Sequence, residues 1–343
     1  MLDALPLAAV FLVFGVSALV VAVAGIRMTA LADRLADRTG LGEAVMGWLL
    51  LGMVTSLSGT VVSVTSALGG HASLAYANGV GGIAAQTAFL AIADLTYRKA
   101  NLEHASADVA SLFQAALLLL MLSVPLIAFV TPAVSVLSVH PASIILILIY
   151  VAGAQTMRRI REAPMWRPIV TRETRHDVPE EAVGTRRDTI VLGLEFAGVA
   201  LLVGAAGWSI ALSGVRISDA LGISQTAVGA LMTAVVTSMP ELVTTLAAVR
   251  RGAAQLAVGG IIGGNCFDML FLSLSDAAYR EGSLYHAIGA GDLFWLLVGL
   301  AMTALLLLGL IVRERRGVGG IGFESAGILA IYAGAISVQV ATG

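Results

Sequence analysis

Long uninterrupted runs of apolar residues dominate this chain and limit what it can fold into. Of its 343 residues, 58% are hydrophobic and only 12% are charged, whereas a soluble domain carries about 25% charged residues. The mean hydropathy is +0.93. Runs of about 20 apolar residues are long enough to cross the hydrocarbon core of a bilayer as helices. The sequence therefore predicts an all-α integral membrane protein in contact with the lipid bilayer and excludes a soluble domain.

Ten such runs can be distinguished, separated by turns that contain glycine, proline or polar residues. Their approximate ranges are 5–27, 43–68, 72–96, 109–130, 141–157, 189–213, 222–249, 254–279, 291–312 and 321–341. One long polar segment divides them into two groups of five. We therefore expect ten transmembrane helices: a first five-helix repeat over 1–157, a cytoplasmic linker over 158–188 and a second five-helix repeat over 189–343.

The basic residues predict how these spans are oriented. In a ten-span chain, 18 of the 20 Lys and Arg residues fall on one side of the membrane, and only Arg216 and Arg280 fall on the other. Short loops rich in Lys and Arg face the cytoplasm. The expected protein thus lies in the plasma (inner) membrane with both termini extracytoplasmic, and its first apolar run is a retained span because Arg27 follows it.

The two halves of the chain resemble each other. When the sequence is shifted by 182 positions, residues 55–98 match residues 237–280 at 14 of 44 positions without a gap. The matches include Thr55 with Thr237, Ser56 with Ser238 and several polar residues that composition alone does not explain. Because each half has an odd number of spans, the second copy enters the membrane from the opposite side. The pattern predicts two inverted-topology repeats, an architecture that places a substrate site between them.

The strongest functional signal is a set of polar residues inside the seventh and eighth spans. Glu241 and Asp268 are carboxylates within apolar segments, and Thr237, Ser238 and Asn265 accompany them. A carboxylate in hydrocarbon costs several kcal/mol unless it faces a wet or cation-filled cavity. Thr237 and Glu241 are four residues apart, and Asn265 and Asp268 three apart, so each pair shares one helix face.

Pro240 adds a backbone oxygen to this set. Proline has no N–H, so Pro240 in a helix leaves the carbonyl of Val236 without its donor. Together with the hydroxyl of Thr237 and the two carboxylates, that carbonyl makes an all-oxygen set suited to hard cations. Four glycines with i, i+4 spacing let the eighth span approach the seventh closely; they are Gly259, Gly263, Gly260 and Gly264.

Two motifs in these spans resemble a known family. TSMPEL at 237–242 and GGIIGGNCFD at 259–268 are similar to the second alpha-repeat of the cation/calcium exchanger superfamily, which includes the sodium/calcium exchangers. The first copy, with VTSLSGTVVSVTSAL at 54–68 and ANGVGGIAAQTAF at 77–89, matches more weakly. The resemblance implies antiport of a cation, typically calcium against sodium, potassium or protons, by alternating access.

The first copy departs from the family pattern where charge matters. Ser58-Gly59 stands in place of the family's Pro-Glu, and Gln86 occupies the position equivalent to Asp268. Only the second repeat then supplies carboxylates, Glu241 and Asp268. Two carboxylates neutralise one divalent or two monovalent cations, so we hypothesise that exchange with three sodium ions does not apply here.

The predicted site and partners follow. The candidate cation ligands are Glu241, Asp268, Thr237, Ser238, Asn265, Thr55, Ser56, Asn78 and Gln86. No cofactor is expected besides the transported cations, calcium, sodium or protons. The expected partners are small inorganic cations and not nucleic acid; the oligomeric state is not readable. The hydroxyl groups could equally bond carbonyls of their own helices.

Two other classes of function compete with transport. A membrane hydrolase would need a base near Ser238, but every histidine lies in or beside a loop and no lysine lies in a span, so an enzyme is not expected. The alternative to transport is a transport-inactive exchanger-fold protein that acts as a sensor or scaffold, motivated by Gly59. Outside the motifs, we expect Asp94 and Asp276 to form solvated charge pairs with Arg98 and Arg280.

Overall fold

The computed structural model describes residues 5–39, 52–97, 100–106, 108–136, 139–162, 186–317 and 320–342. Within these residues the chain is almost entirely helical. The helices are α1 Leu7–Thr39, α2 Leu57–Leu68, α3 Ala72–Thr96, α4 Leu102–Ser106, α5 Val109–Val130, α6 Pro141–Glu162, α7 Arg186–Leu221, α8 Gln225–Thr237, α9 Met239–Arg251, α10 Ala254–Ala278, α11 Leu284–Ala287, α12 Ala290–Val312 and α13 Phe323–Thr342.

The described helices follow the predicted spans closely in number and position. Eight are long and apolar enough to cross a membrane, and nine if the bent pair α8 and α9 is one span. The second predicted span, 43–68, is represented by the 12-residue helix α2, and its first part lies outside the described residues. Residues 163–185, which make up most of the predicted linker 158–188, also lie outside the described residues. Helix α1 outlasts its apolar run, because the residues that follow Arg27 are mostly strong helix formers such as Ala, Leu and Arg.

Helices α3 and α10 form the centre of the bundle. In the apolar 18-residue stretch of each helix, 83% of the α3 residues and 72% of the α10 residues are buried. The corresponding share is 22% in each of α1, α7 and α13. Helices α1 and α7 pack against each other at the periphery and expose Leu, Val and Ile side chains. The two central helices are also the ones that carry Gln86 and Asp268.

Glycine allows α8 to pack tightly against α3. A Cβ atom on Gly81 would lie 2.5 Å from the Cα of Ala230, and one on Gly229 would lie 2.8 Å from the Cβ of Ala77. Gly229 and Ala230 belong to a π-helical turn, Val228–Thr233, which is common near functional sites. Of the α10 glycines that the sequence predicted to face the seventh span, Gly259 and Gly264 instead face Gln114 of α5 and Gln86 of α3.

Asp94, at the end of α3, is anchored by backbone groups. It is 1% exposed, and its two oxygens accept the N–H groups of Leu102 at 2.6 Å and Gly322 at 3.2 Å. The prediction of a solvated charge pair with Arg98 is wrong for this residue, because the connection after α3 folds back over the carboxylate.

Asp276 repeats this arrangement 182 positions later. It is 0% exposed and accepts the N–H groups of Leu284 at 2.9 Å and His140 at 2.7 Å. Leu284 lies 182 positions after Leu102, and His140 lies 182 positions before Gly322, so the donors to the two aspartates are equivalent. The solvated pair predicted for Asp276 is therefore wrong as well, and the two aspartates fasten equivalent helix connections in the two halves.

The contact between α3 and α8 can be tested with Gly81→Ala. The added methyl group has no room against Ala230, so we expect overpacking to lower the free energy of unfolding by about 1–3 kcal/mol. The measurement is the thermal unfolding midpoint of the purified protein in detergent. Gly198→Ala in α7 is the control, because a Cβ there meets nothing within 4 Å and alanine favours a helix. Equal midpoints for the two variants would contradict this packing.

Candidate cation site

The site is built at two breaks in the helices, at Ser56 and Ser238. Ser56 precedes α2 with φ −85° and ψ 5°, and Ser238 separates α8 from α9 with φ −93° and ψ 5°. Helices α8 and α9 meet there at an angle of 46°. The two serines are 182 positions apart and have nearly the same backbone conformation. Breaks of this kind free polar backbone groups and side chains inside an otherwise apolar bundle.

Pro240 has a different role from the one its sequence position suggested. It lies in the first turn of α9, where the missing N–H has no helical partner to lose. The break precedes it, at Ser238. The hydroxyl of Ser58 donates to the backbone carbonyl of Thr237, at 3.3 Å, so a carbonyl freed at the break is met by a side chain of the other half.

Both predicted carboxylates line one small cavity between the two breaks. Glu241 is 6% exposed and Asp268 is 2% exposed. The complete lining consists of Ser56, Gly59, Asn78, Gly82, Gln86, Thr237, Ser238, Glu241, Asp268 and Phe271. Residues of both halves thus surround the carboxylates, and seven of the nine predicted ligands lie together at this place.

Asp268 is held by side chains of the first half. Ser56 donates its hydroxyl hydrogen to Oδ1 at 2.5 Å, and the Nε2 group of Gln86 donates to Oδ2 at 2.6 Å. The same Nε2 group lies 3.3 Å from the hydroxyl oxygen of Ser238. Ser56 of the first half contacts Asp268 of the second, and Ser238 of the second half contacts Gln86 of the first. The two serines are 182 positions apart, and so are Gln86 and Asp268, so the two contacts are equivalent.

Glu241 is less completely satisfied. Thr55 offers it a side-chain hydrogen bond, but its Oε2 atom is buried and has no hydrogen-bond partner among the described residues. A buried carboxylate oxygen without a donor costs at least about 1–3 kcal/mol. This oxygen is the strongest indication in the cavity that a positively charged ligand belongs there.

Two predicted ligands that line the cavity have structural hydrogen bonds. The amide group of Asn78 donates to the carbonyl of Gly59 and to Ser63, at 3.1 and 2.9 Å, and accepts from Thr233 at 2.8 Å. Asn78 therefore braces α2 against α3 and α8. The hydroxyl of Thr237 donates to the carbonyl of Thr233 at 2.9 Å, which leaves only its oxygen lone pairs for a cation.

Asn265 does not line the cavity. Its amide group donates to the hydroxyl of Thr87 at 3.1 Å, and thus joins α10 to α3. Thr55 is also outside the lining, although it reaches Glu241. The helical spacing of Asn265 and Asp268 predicted a shared face, but the bond to Thr87 holds the Asn265 amide group outside the cavity.

Phe271 is the lining residue that the sequence analysis missed. A Cβ atom on Gly59 would lie 2.7 Å from Cε2 of Phe271, so the ring occupies the space next to the glycine that stands at the family's glutamate position. The only sequence signal for this residue was that Phe271 matches Phe89 when the sequence is shifted by 182 positions. The cavity therefore has two carboxylates and mainly neutral oxygen groups. Among the described residues, no group of three or more His, Cys, Asp and Glu side chains could hold a metal ion.

Comparison with known proteins places this site in a family context. The family model for the sodium/calcium exchanger protein matches residues 9–154 and 190–341. The putative antiporter CaxA of Alkalimonas amylolytica is 26% identical over 83% of this chain and 85% of its own length. The sodium/calcium exchanger MaX1 of Methanosarcina acetivorans is 43% identical, over 18% of each chain.

Solved structures share the fold. An H+/Ca2+ exchanger, CAX, superimposes with a TM-score of 0.71 at 12% identity, over 97% of this chain and 87% of its own. The sodium-calcium exchanger NCX_Mj superimposes with a TM-score of 0.61 at 16% identity, over 97% of this chain and 99% of its own. The family resemblance of the TSMPEL and GGIIGGNCFD motifs is thus confirmed: the chain belongs to the sodium/calcium exchanger protein family and is an integral membrane protein of the cation antiporter class.

Proposed function

We propose that this protein is a secondary active cation antiporter that exchanges calcium, or another cation, for sodium or protons by alternating access. The observation that carries the proposal is that Glu241 and Asp268 line one buried cavity together with residues of both halves. The solved structures that share this fold include an H+/Ca2+ exchanger and a sodium-calcium exchanger, which supports this choice of ions.

The chemistry of the cavity suits a hard cation. Carboxylate, hydroxyl and amide oxygens are the ligands that Ca2+ and Na+ share. Asp268 now receives hydrogens from Ser56 and Gln86. A cation bound by Asp268 would take the place of these hydrogens, while Ser56 and Gln86 turn their oxygens towards it. Glu241, with its unpartnered oxygen, is the second charged ligand.

The arrangement of the two halves supports alternating access. We infer ten transmembrane helices in two inverted repeats, 1–157 and 189–343, joined by the cytoplasmic linker 158–188, with both termini extracytoplasmic at the plasma membrane. The equivalent hydrogen bonds of Asp94 and Asp276 and the matching conformations of Ser56 and Ser238 support the repeat. Two similar halves around one site can open it alternately to the two sides of the membrane.

Glu241→Gln and Asp268→Asn should each abolish exchange while expression and folding persist. Each variant keeps the shape of the side chain but removes a charge that the cation needs. The measurement uses everted vesicles that contain a pH dye or a calcium dye and are challenged with calcium, sodium or potassium. Glu281→Gln, an exposed carboxylate outside the helices, is the control. Normal exchange by either site variant would show that the carboxylate concerned is not a ligand.

The charge of the site predicts the stoichiometry. Because residue 59 is glycine and residue 86 is glutamine, two carboxylates remain, and they balance one divalent or two monovalent cations. We expect reversal potentials in proteoliposomes to give one calcium ion for two monovalent cations, with little net charge moved per cycle. A ratio of three sodium ions to one calcium ion would contradict the two-carboxylate site.

A transport-inactive protein with this fold, acting as a sensor or scaffold, is the second candidate. The specific observation in its favour is the ring of Phe271, which fills the space beside Gly59 and leaves no room there for a first-half glutamate. Cation-dependent thermal stability separates the candidates, since a ligand at 100 times its Kd stabilises the folded state by about 2.7 kcal/mol.

For an exchanger we expect millimolar calcium to raise the unfolding midpoint of the wild type but not of Asp268→Asn. Cation-free samples of the same preparation provide the baseline. If calcium, sodium and potassium leave the wild-type midpoint unchanged, the sensor or scaffold function is favoured over exchange.

A further inference from the structure

A second group of buried carboxylates lies away from the cation site, where α3 ends and α13 begins. Asp94 of α3, Glu103 of α4 and Glu324 of α13 are each 1% exposed. Asp94 is satisfied by the N–H groups of Leu102 and Gly322. The other two carboxyl groups have a different environment, and neither takes part in the proposed exchange.

Glu103 and Glu324 face each other without a donor. The side chain of Glu103 lies within hydrogen-bonding reach of that of Glu324. All four of their carboxyl oxygens are buried and have no hydrogen-bond partner among the described residues. Two carboxylate groups cannot donate to one another, so two ionised side chains here would repel each other in a medium of low dielectric constant.

The backbone is shaped to keep Glu324 in this position. A Cβ atom built on Gly309 would lie 2.3 Å from Cγ and 2.8 Å from Cβ of Glu324, so glycine at this position leaves room for the side chain. Glu324 therefore fills a space between α12 and the start of α13, rather than extending to solvent.

The equivalent place in the other half contains no such pair. Shifted by 182 positions, Glu103 corresponds to Tyr285, and Ala142 corresponds to Glu324. There the hydroxyl of Tyr285 lies 2.9 Å from that of Ser143, and neutral groups satisfy each other. The two carboxyl groups are thus specific to one end of the bundle, although the backbone around them is repeated.

Among the described residues, no cationic group donates a hydrogen bond to either carboxyl group of the pair. Burial raises the pKa of Glu103, and the negative charges of Asp94 and Glu324 raise it further. The guanidinium group of Arg313 donates to the backbone carbonyl of His104, at 3.0 Å, and the carboxylate of Asp108 accepts the N–H group of Ser111 at 2.6 Å.

The helices packed around the pair add no charge at this level. Residues 109–123 of α5, 254–265 of α10 and 299–312 of α12 contain no titratable side chain. The remaining titratable groups of the described connections are Tyr97, His104, Glu314, Arg315 and Arg316. Arg98 and Lys99 lie outside the described residues.

We propose that Glu103 and Glu324 share one proton and form a proton-binding site, separate from the Glu241 and Asp268 cavity, that fastens the start of α13 to α4. The shared proton makes one carboxyl group a donor and the other an acceptor. A group whose pKa is higher in the folded state stabilises the fold at low pH, and this stability is lost as the pH rises through the folded pKa. Loss of the proton therefore loosens the junction of α4 with α13.

Thermal unfolding of the purified full-length protein, from about pH 5 to about pH 9, tests this site. We expect the wild-type midpoint to fall as the pH rises, and Glu103→Gln and Glu324→Gln each to remove at least half of that fall. An amide group donates to the remaining carboxylate at every pH. Glu281→Gln is the control and should keep the wild-type slope. Wild-type slopes in both glutamine variants would overturn the proposal.

A spectroscopic measurement provides an independent test. Infrared spectra of the wild type at neutral pH should contain a carboxylic acid C=O band that is reduced in Glu103→Gln or in Glu324→Gln. If one variant does not fold, the other carries the same test. Unchanged band intensity in a folded variant would show that the pair holds no proton. Neither measurement requires exchange activity, so the proton site and the proposed function can fail separately.

Discussion

The contact of Asp268 with Ser56 and Gln86 is the interaction on which the rest of the site depends. A carboxylate inside an apolar bundle is stable only where donors or cations meet it, and here both donors come from the other half of the chain. The break at Ser56, the position of α3 and the burial of α10 are all needed to bring these groups to 2.5 and 2.6 Å. The charged group thus connects the two halves of the chain inside the cavity.

Several backbone contacts recur at equivalent positions of the two halves, whereas the charged side chains differ. Asp94 and Asp276 accept N–H groups at equivalent positions because each helix connection leaves the same backbone donors unpaired. Charges that do not serve the backbone differ: Gly59 corresponds to Glu241, and Tyr285 corresponds to Glu103. The charged side chains therefore differ between two halves that share these backbone contacts.

The motifs of the second repeat were sufficient to predict the two carboxylates and the family. The contacts around them were harder to predict, as Asn265 illustrates: its spacing suits a ligand, yet it bonds to Thr87. Phe271 looked like an ordinary apolar residue, because only the packed structure shows its ring beside Gly59. The burial of Asp94 and Asp276 could not be read from neighbouring arginines, since the donors that hold these carboxylates are backbone groups 8 residues or more away in the chain.

The sequence by itself determined the membrane class, most of the helices, the relation between the halves and the identity of the charged residues. These properties depend on hydrophobicity, on residue spacing and on local propensity, which are local in the chain. Tertiary structure decided which helices approach closely, where the chain breaks and which polar groups satisfy one another. Those outcomes depend on contacts between residues far apart in sequence, such as Ser56 and Asp268. No local sequence pattern specifies such a contact.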